Sequence, residues 1–202
     1  MKKIFVYGDS NVWGDNTSGS RVAYHLRWVS RLRSMSKSAV LTDSIPGRVA
    51  GDYRTDKPEK NGKSFYLESL KRAGDVNLVI IALGTNDLQR KYSRTADKII
   101  DDLVWYRTVT QKSELLYLLP SKFATDDQSG PEFTEESLRM RDYILKRKET
   151  LGWNLPLSEV PLSDGLHFSP EGHKIVAQLV FNEIKDRIYY APQKRSTSYN
   201  WQ

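Results

Sequence analysis

Lys3-Ile4-Phe5-Val6-Tyr7-Gly8-Asp9-Ser10-Asn11 opens the chain with an apolar run that breaks on a glycine, an acid and a serine. The β-branched and aromatic residues predict a first strand over Ile4–Tyr7, and Gly8 to Asn11 the turn that leaves it. Outward from this strand, helix and strand patterns alternate. Val22, Leu26, Val29 and Leu32 recur at helical spacing and predict a helix over Val22–Met35. Ala39–Thr42 reads as a second strand, ending at Asp43-Ser44-Ile45-Pro46-Gly47. Residues 48–63 read as a polar loop and Ser64–Arg72 as a helix.

Val76–Leu83 and Glu114–Leu119 are apolar runs of the kind a strand carries when buried on both faces. Thr95–Val109 between them is helical. Thr134 is a candidate N-cap for a helix to about Lys148, with Ser137 as the other candidate. Ser169-Pro170 starts a last helix to about Ile188. Strands alternating with helices predict an α/β protein, a three-layer α/β/α sandwich around a central, mainly parallel sheet. The 202 residues suit one domain over residues 1–190, followed by a tail, 191–202, that is either flexible or an oligomer contact.

Composition excludes several chemistries. Without cysteine there are no disulfides, no thiol nucleophile and no thiolate metal site. Apolar content of 39% and charged content of 28% are those of an ordinary globular chain. The first apolar run is too short for a signal-peptide core, and no stretch approaches membrane-spanning length, so the expectation is a cytoplasmic chain with no membrane span. The net charge of +6 invites a polyanion partner. The basic residues, however, are scattered among acids on the predicted helices, as in a solvated surface, and no specific nucleic-acid partner is expected.

Three predicted strand ends carry polar clusters: Ser10, Gly47, and Asn86 within Gly84-Thr85-Asn86-Asp87. In a parallel sheet such ends share one edge, where ligands bind. Asp164-Gly165-Leu166-His167 adds an acid and a base three residues apart. Of the three histidines, His25 and His173 fall inside predicted helices, which leaves His167 in a loop. Each residue alone is an ordinary turn residue. Together they supply the parts of acyl transfer: Ser10 as nucleophile, His167 as base and Asp164 to orient it. The Ser10 and Gly47 N–H groups and the Asn86 amide become oxyanion donors. Asp9 reads as ordering the turn and Asp87 as support behind the reacting groups. Trp13 reads either as a wall of an acyl pocket or as plain packing, Arg48 as an anion contact or a surface residue.

On these residues the chain resembles the SGNH (GDSL-type) hydrolase family. Gly8-Asp9-Ser10 is similar to its first block, Gly47 to its second, Gly84-Thr85-Asn86-Asp87 to its third and Asp164-Gly165-Leu166-His167 to its fifth. Gly8 to Gly14, Arg27-Trp28, Asp75 to Leu88 and Asn61-Gly62 with Tyr66-Leu67 resemble the arylesterase/acyltransferase subgroup. Pro46, Val49-Ala50 and the charged stretch 48–60 depart from it. The resemblance implies a flavodoxin-like fold, the roles already derived for Ser10, Asp164, His167, Gly47 and Asn86, and a subgroup that contains homo-oligomers.

The leading expectation is therefore a serine esterase of short-chain carboxylic esters, acting through an acyl-enzyme, with no cofactor or metal and with acyltransferase side activity. The alternative is a carbohydrate O-acetylesterase on acetylated, acidic glycans, with Arg48, Arg54, Lys57, Lys60 and Lys63 facing the glycan. A metal-dependent phosphoesterase built on Asp9, Asn86, Asp87 and His167 is the less economical reading, because such sites use more ligands.

Overall fold

The structure is a computed structural model that describes residues 1–16, 20–125, 130 and 132–189. Strands β1 (Lys3–Gly8), β2 (Ala39–Ser44), β3 (Leu78–Ala82), β4 (Glu114–Leu119) and β5 (Asn154–Pro156) form one sheet in the order β2-β1-β3-β4-β5, every pair parallel. Val6 lies opposite Thr42 on one side and Ile80 on the other. The helices are α1 (Ser10–Trp13), α2 (Trp28–Ser36), α3 (Gly62–Ala73), α4 (Ala96–Val109), α5 (Glu135–Lys146) and α6 (Pro170–Ile184).

Strand alternation divides the interior in two. Ile4, Val6, Leu78, Ile80, Leu116 and Leu118 point to one face, where Leu32 of α2 and Val176 and Val180 of α6 cover them. Phe5, Tyr7, Val79, Ile81, Tyr117 and Leu119 point to the other, against Tyr66 of α3, Leu103 and Tyr106 of α4 and Ile144 of α5. The strand residues of the first face are all aliphatic. The second is rich in tyrosines whose hydroxyls donate to backbone carbonyls: Tyr7 to Gly62 at 2.7 Å, Tyr106 to Ala50 at 2.8 Å and Tyr117 to Leu103 at 2.8 Å. A buried hydroxyl needs such a partner, and these tie the start of α3, the loop at Ala50 and the middle of α4 to the core.

The strand order places the site. The chain leaves β1 for β2 on one side and returns to β3 on the other, so the loops after β1 and β3 diverge at the carboxyl end of the sheet and leave a crevice. Ser10, Gly47 and Asn86 all follow strands that end at this edge.

Two expectations on elements change. The helix predicted from Val22 begins only at Trp28, because Arg27 is extended (φ −68°, ψ 142°) and Tyr24–Leu26 form a separate 3-10 turn. His25 therefore lies in that exposed turn and not in a helix. The edge strand β5 was not expected: it has three residues, ends in proline and is too short for alternation to register. The caps at Thr134, completed by Ser137, and at Ser169 form as expected. Residues 191–202 lie outside the described residues. Among the described residues no helix is long and apolar enough to cross a membrane.

Candidate active site

Ser10 sits where β1 turns into α1. Asp9 caps that turn, its Oδ1 accepting the Asn11 N–H at 3.0 Å, so the expectation that Asp9 orders the turn holds. As the first helical residue, Ser10 has an N–H with no intrahelical acceptor. The turn is tight against its neighbours. A Cβ on Gly8 would lie 2.2 Å from Val12 Cγ2 and 3.0 Å from the Ala82 carbonyl, so only glycine lets β1, α1 and β3 converge behind Ser10.

The loop Ser163–His167 brings the base across. Ser163 N–H donates to the His167 carbonyl at 2.8 Å, closing the turn. Asp164 Oδ1 accepts the backbone N–H groups of Leu166 (3.1 Å) and His167 (2.7 Å), leaving Oδ2 for His167 Nδ1 at 2.7 Å. His167 Nε2 then lies 3.1 Å from Ser10 Oγ. Asn11 fastens this loop to α1, its Oδ1 accepting the Phe168 N–H at 2.9 Å and its Nδ2 donating to the Leu166 carbonyl at 3.4 Å.

On the other side of Ser10 the loop after β2 is anchored by a buried guanidinium. Arg48 is 1% exposed. It donates to Asp43 Oδ1 (2.8 Å), to the Asp43 carbonyl (2.9 Å) and to the Gly8 carbonyl (3.3 Å), and it lies 4.1 Å over the Tyr7 ring. Its own carbonyl accepts from Asn86 Nδ2 at 3.1 Å, while Gln89 Nε2 donates to Asn86 Oδ1 at 2.9 Å. The second Asn86 contact, to Asp9 Oδ2, is long at 3.4 Å. Gly47 has φ +77°, a left-handed conformation that suits glycine, and the Arg54 guanidinium holds its carbonyl at 3.1 Å. Among the described residues the N–H groups of Ser10 and Gly47 have no acceptor.

Asp87 lies fully buried behind this loop. Its carboxylate accepts the Ala50 N–H (3.0 and 2.8 Å) and the Tyr53 hydroxyl (2.9 Å), so it fixes the chain that follows Gly47. Burial pushes the Asp87 carboxyl up to about 6 against the pull of these hydrogen bonds. Burial likewise raises Asp9 to about 6, opposed by the Asn11 N–H and by His167. Asp164 goes the other way. Partial burial works against its charge, but hydrogen bonds from the His167 side chain and backbone outweigh that and hold it below the usual carboxylate value.

The other four residues expected from the sequence thus divide into two groups around Ser10. His167 reaches it directly and Asp164 through His167, while Asn86 meets the Gly47 loop at the Arg48 carbonyl and the Ser10 turn at the Asp9 carboxylate. Arg48, read from the sequence as an anion contact or a surface residue, is neither: it is a buried clamp. Asn11, which the sequence places only in the turn after Tyr7, is the residue that ties Ser10 to the His167 loop. Trp13 packs beneath the Arg21 guanidinium, 3.5 Å from its ring, and lines a groove with Leu41 and Thr42 at the edge of β2. His173 is a core residue of α6 that accepts the Trp28 N–H at 3.3 Å. Tyr189 meets Ser38 through its hydroxyl; Tyr190 lies outside the described residues. Among the described residues no three histidine or carboxylate side chains group as a metal ligand set, so Asp9, Asp87 and His167 do not form one.

No protein-family model matches the chain, and no curated protein matches it either. Solved structures do. The aryl esterase of M. smegmatis superposes with a TM-score of 0.82 at 21% identity, over 92% of this chain and 99% of that one. A carbohydrate acetylesterase from Sinorhizobium meliloti gives 0.74 at 18% identity, over 91% and 98%. The lipase/acylhydrolase from Enterococcus faecalis gives 0.70 at 21% identity, over 93% and 97%. These likenesses establish a shared fold, the parallel α/β/α sandwich anticipated from the sequence.

Proposed function

We propose that the chain is a serine hydrolase of short-chain carboxylic esters, with Ser10 as nucleophile, His167 as general base and acid, and Asp164 as the group that orients the imidazole. The observation that carries the reading is the continuous path from Asp164 Oδ2 through His167 to Ser10 Oγ, at 2.7 and 3.1 Å. Esterases among the structures of the same fold add support.

In this reading Ser10 Oγ attacks the ester carbonyl as its proton passes to His167 Nε2. The Ser10 and Gly47 N–H groups and Asn86 Nδ2 receive the oxyanion. Asn86 gives up its long contact to Asp9, the weakest of its bonds. Collapse expels the alcohol, which takes the proton from His167 and leaves an acyl group on Ser10. Water then attacks the acyl carbon, His167 takes the water's proton and returns it to Ser10 Oγ, and the acid leaves. A second alcohol in place of water would give acyl transfer.

Hydrolysis of p-nitrophenyl acetate in EDTA by the wild type and Ser10→Ala tests the proposal. Activity that survives the chelator and falls by roughly 10⁴-fold or more in the variant is expected. Equal rates in the two proteins remove Ser10 from the chemistry and with it the proposal. The alternative, deacetylation of a glycan, is compatible with Arg54 and Lys60 beside Gly47, and acetate release from an acetylated polymer separates it from simple esterase action.

A further inference from the structure

A cavity of about 460 Å³ opens between residues 53–56, in the loop after Gly47, and residues 91–98, after Asn86, and none of Ser10, Gly47, Asn86, Asp164 and His167 lines it. Its lining carries four cations, Arg54, Lys91, Arg94 and Lys98, and one carboxylate, Asp56. Asp56 is engaged by Arg54 at 2.6 Å, and Arg94 is paired with Asp102. Among the described residues Lys91 and Lys98 belong to no ion pair, and both are exposed. Glu132 accepts the Lys91 backbone N–H at 3.0 Å, but it is not part of the lining.

The cavity is joined to the proposed site by its walls. Arg54 holds the Gly47 carbonyl, Tyr53 holds Asp87, and Tyr92 packs edge-on to Tyr53 with ring centroids 5.5 Å apart. Also beside Gly47, Lys60 Nζ lies 3.1 Å from where a Cβ would stand. Partial burial lowers the affinity of that ammonium for its proton, and Lys57 and Arg54 add to the effect. Concentrated positive charge in a cleft attracts and orients an anion.

We propose that this cavity is a subsite for a carboxylate on one arm of the ester, so that the preferred substrate is an anionic ester. The proposal rests on the esterase reading for its chemistry and on the two unpaired lysines for its specificity. The carboxylate belongs either to a small acid or to an acidic sugar of a glycan.

The test compares 4-acetoxybenzoate with its methyl ester, each rate divided by that of spontaneous hydrolysis. The wild type is expected to favour the anion roughly fivefold in kcat/KM at low salt, and the ratio to fade towards one at high salt as exposed charge is screened. In Lys91→Ala/Lys98→Ala the ratio falls to about one, whereas Lys2→Ala/Lys112→Ala, with the same change of net charge on the opposite edge of the sheet, keeps the wild-type ratio. A ratio near one in the wild type, or one unmoved in Lys91→Ala/Lys98→Ala, overturns the subsite. If neither ester is cleaved the esterase reading has failed, and the subsite is judged by titration of polygalacturonate into Ser10→Ala. Salt-sensitive binding that disappears when Lys91 and Lys98 are also replaced upholds it, and no binding overturns it. Acetate release from O-acetylated polygalacturonate, set against cleavage of 4-acetoxybenzoate, assigns the carboxylate to a glycan or to a small acid.

Discussion

On one side of Ser10, Asp164 and His167 come from four consecutive residues of a half-buried turn, each oxygen of Asp164 taken up by its own neighbours. On the other side, Gly47 and Asn86 come from separate loops that meet at the Arg48 carbonyl and are held by buried groups: the Arg48 guanidinium, the Asp9 and Asp87 carboxylates and the Tyr106 hydroxyl. In the proposed esterase the difference follows from the task. A base must move protons and stay within reach of water, so local hydrogen bonds suffice to orient it. Oxyanion donors work only if they are in place before charge develops, which calls for a rigid surround.

Substitutions can break this contrast, beginning with the largest effect. His167→Ala removes the proposed proton carrier and is expected to lower kcat for a simple ester by about 10⁴ or more with little change in thermal stability, since the turn is held by Asp164 and its backbone bonds. Unfolding of this variant by heat well below the wild type would show the turn to be structural. Asn86→Ala, on the donor side, is expected to cost roughly 10²–10³ in kcat with KM nearly unchanged. An unaltered kcat at saturating ester would take Asn86 out of the oxyanion site.

Arg48→Met sharpens the contrast by touching no substrate. It strips the Gly8 and Asp43 carbonyls of a donor and leaves Asp43 to Arg72 and Ser69. We expect a loss of about 3 kcal/mol in chemical denaturation. A kcat decrease is also expected at temperatures where the variant is fully folded. Stability loss alone, with normal kcat, would make Arg48 a structural clamp with no bearing on the donors. Tyr106→Phe deletes a single hydroxyl from the same support and leaves the Ala50 carbonyl without its donor, for about 1–2 kcal/mol by the same measurement.

The smallest effect is one of pH. Asp87, raised to about 6 in the folded state, contributes most to stability when protonated, and that contribution is lost as pH rises from the ordinary carboxylate value through 6. Asp87→Asn carries no such dependence, so it should gain on the wild type in melting temperature between pH 4 and 6.5. A constant difference across that range would mean that Asp87 is ionised throughout. Asp164, held low, has the opposite sign: its contribution is present at neutral pH and is lost on acidification.

Much of this was legible in the residues. Strands buried on both faces announce themselves as apolar runs, and Ser10, Asn86 and the Asp164–His167 pair stood out as polar groups at strand ends or in a loop. Three-residue β5 was not legible, because alternation needs more residues than it has. Arg48 misled, since an arginine in a polar loop is usually at the surface, and only the approach of Gly8, Asp43 and Tyr7 from other elements provides it with buried partners.

By itself the sequence determined the parallel α/β architecture and the identities of the groups proposed to act on an ester, because periodicity and residue type are local properties. The tertiary structure decided that His167 Nε2 lies 3.1 Å from Ser10 Oγ, that Arg48 is buried between Asp43 and Gly8, and that unpaired lysines gather beside the Gly47 loop. Those are relations between residues far apart in the chain. They come into being only when the order β2-β1-β3-β4-β5 carries separate strand ends to one edge of a sheet.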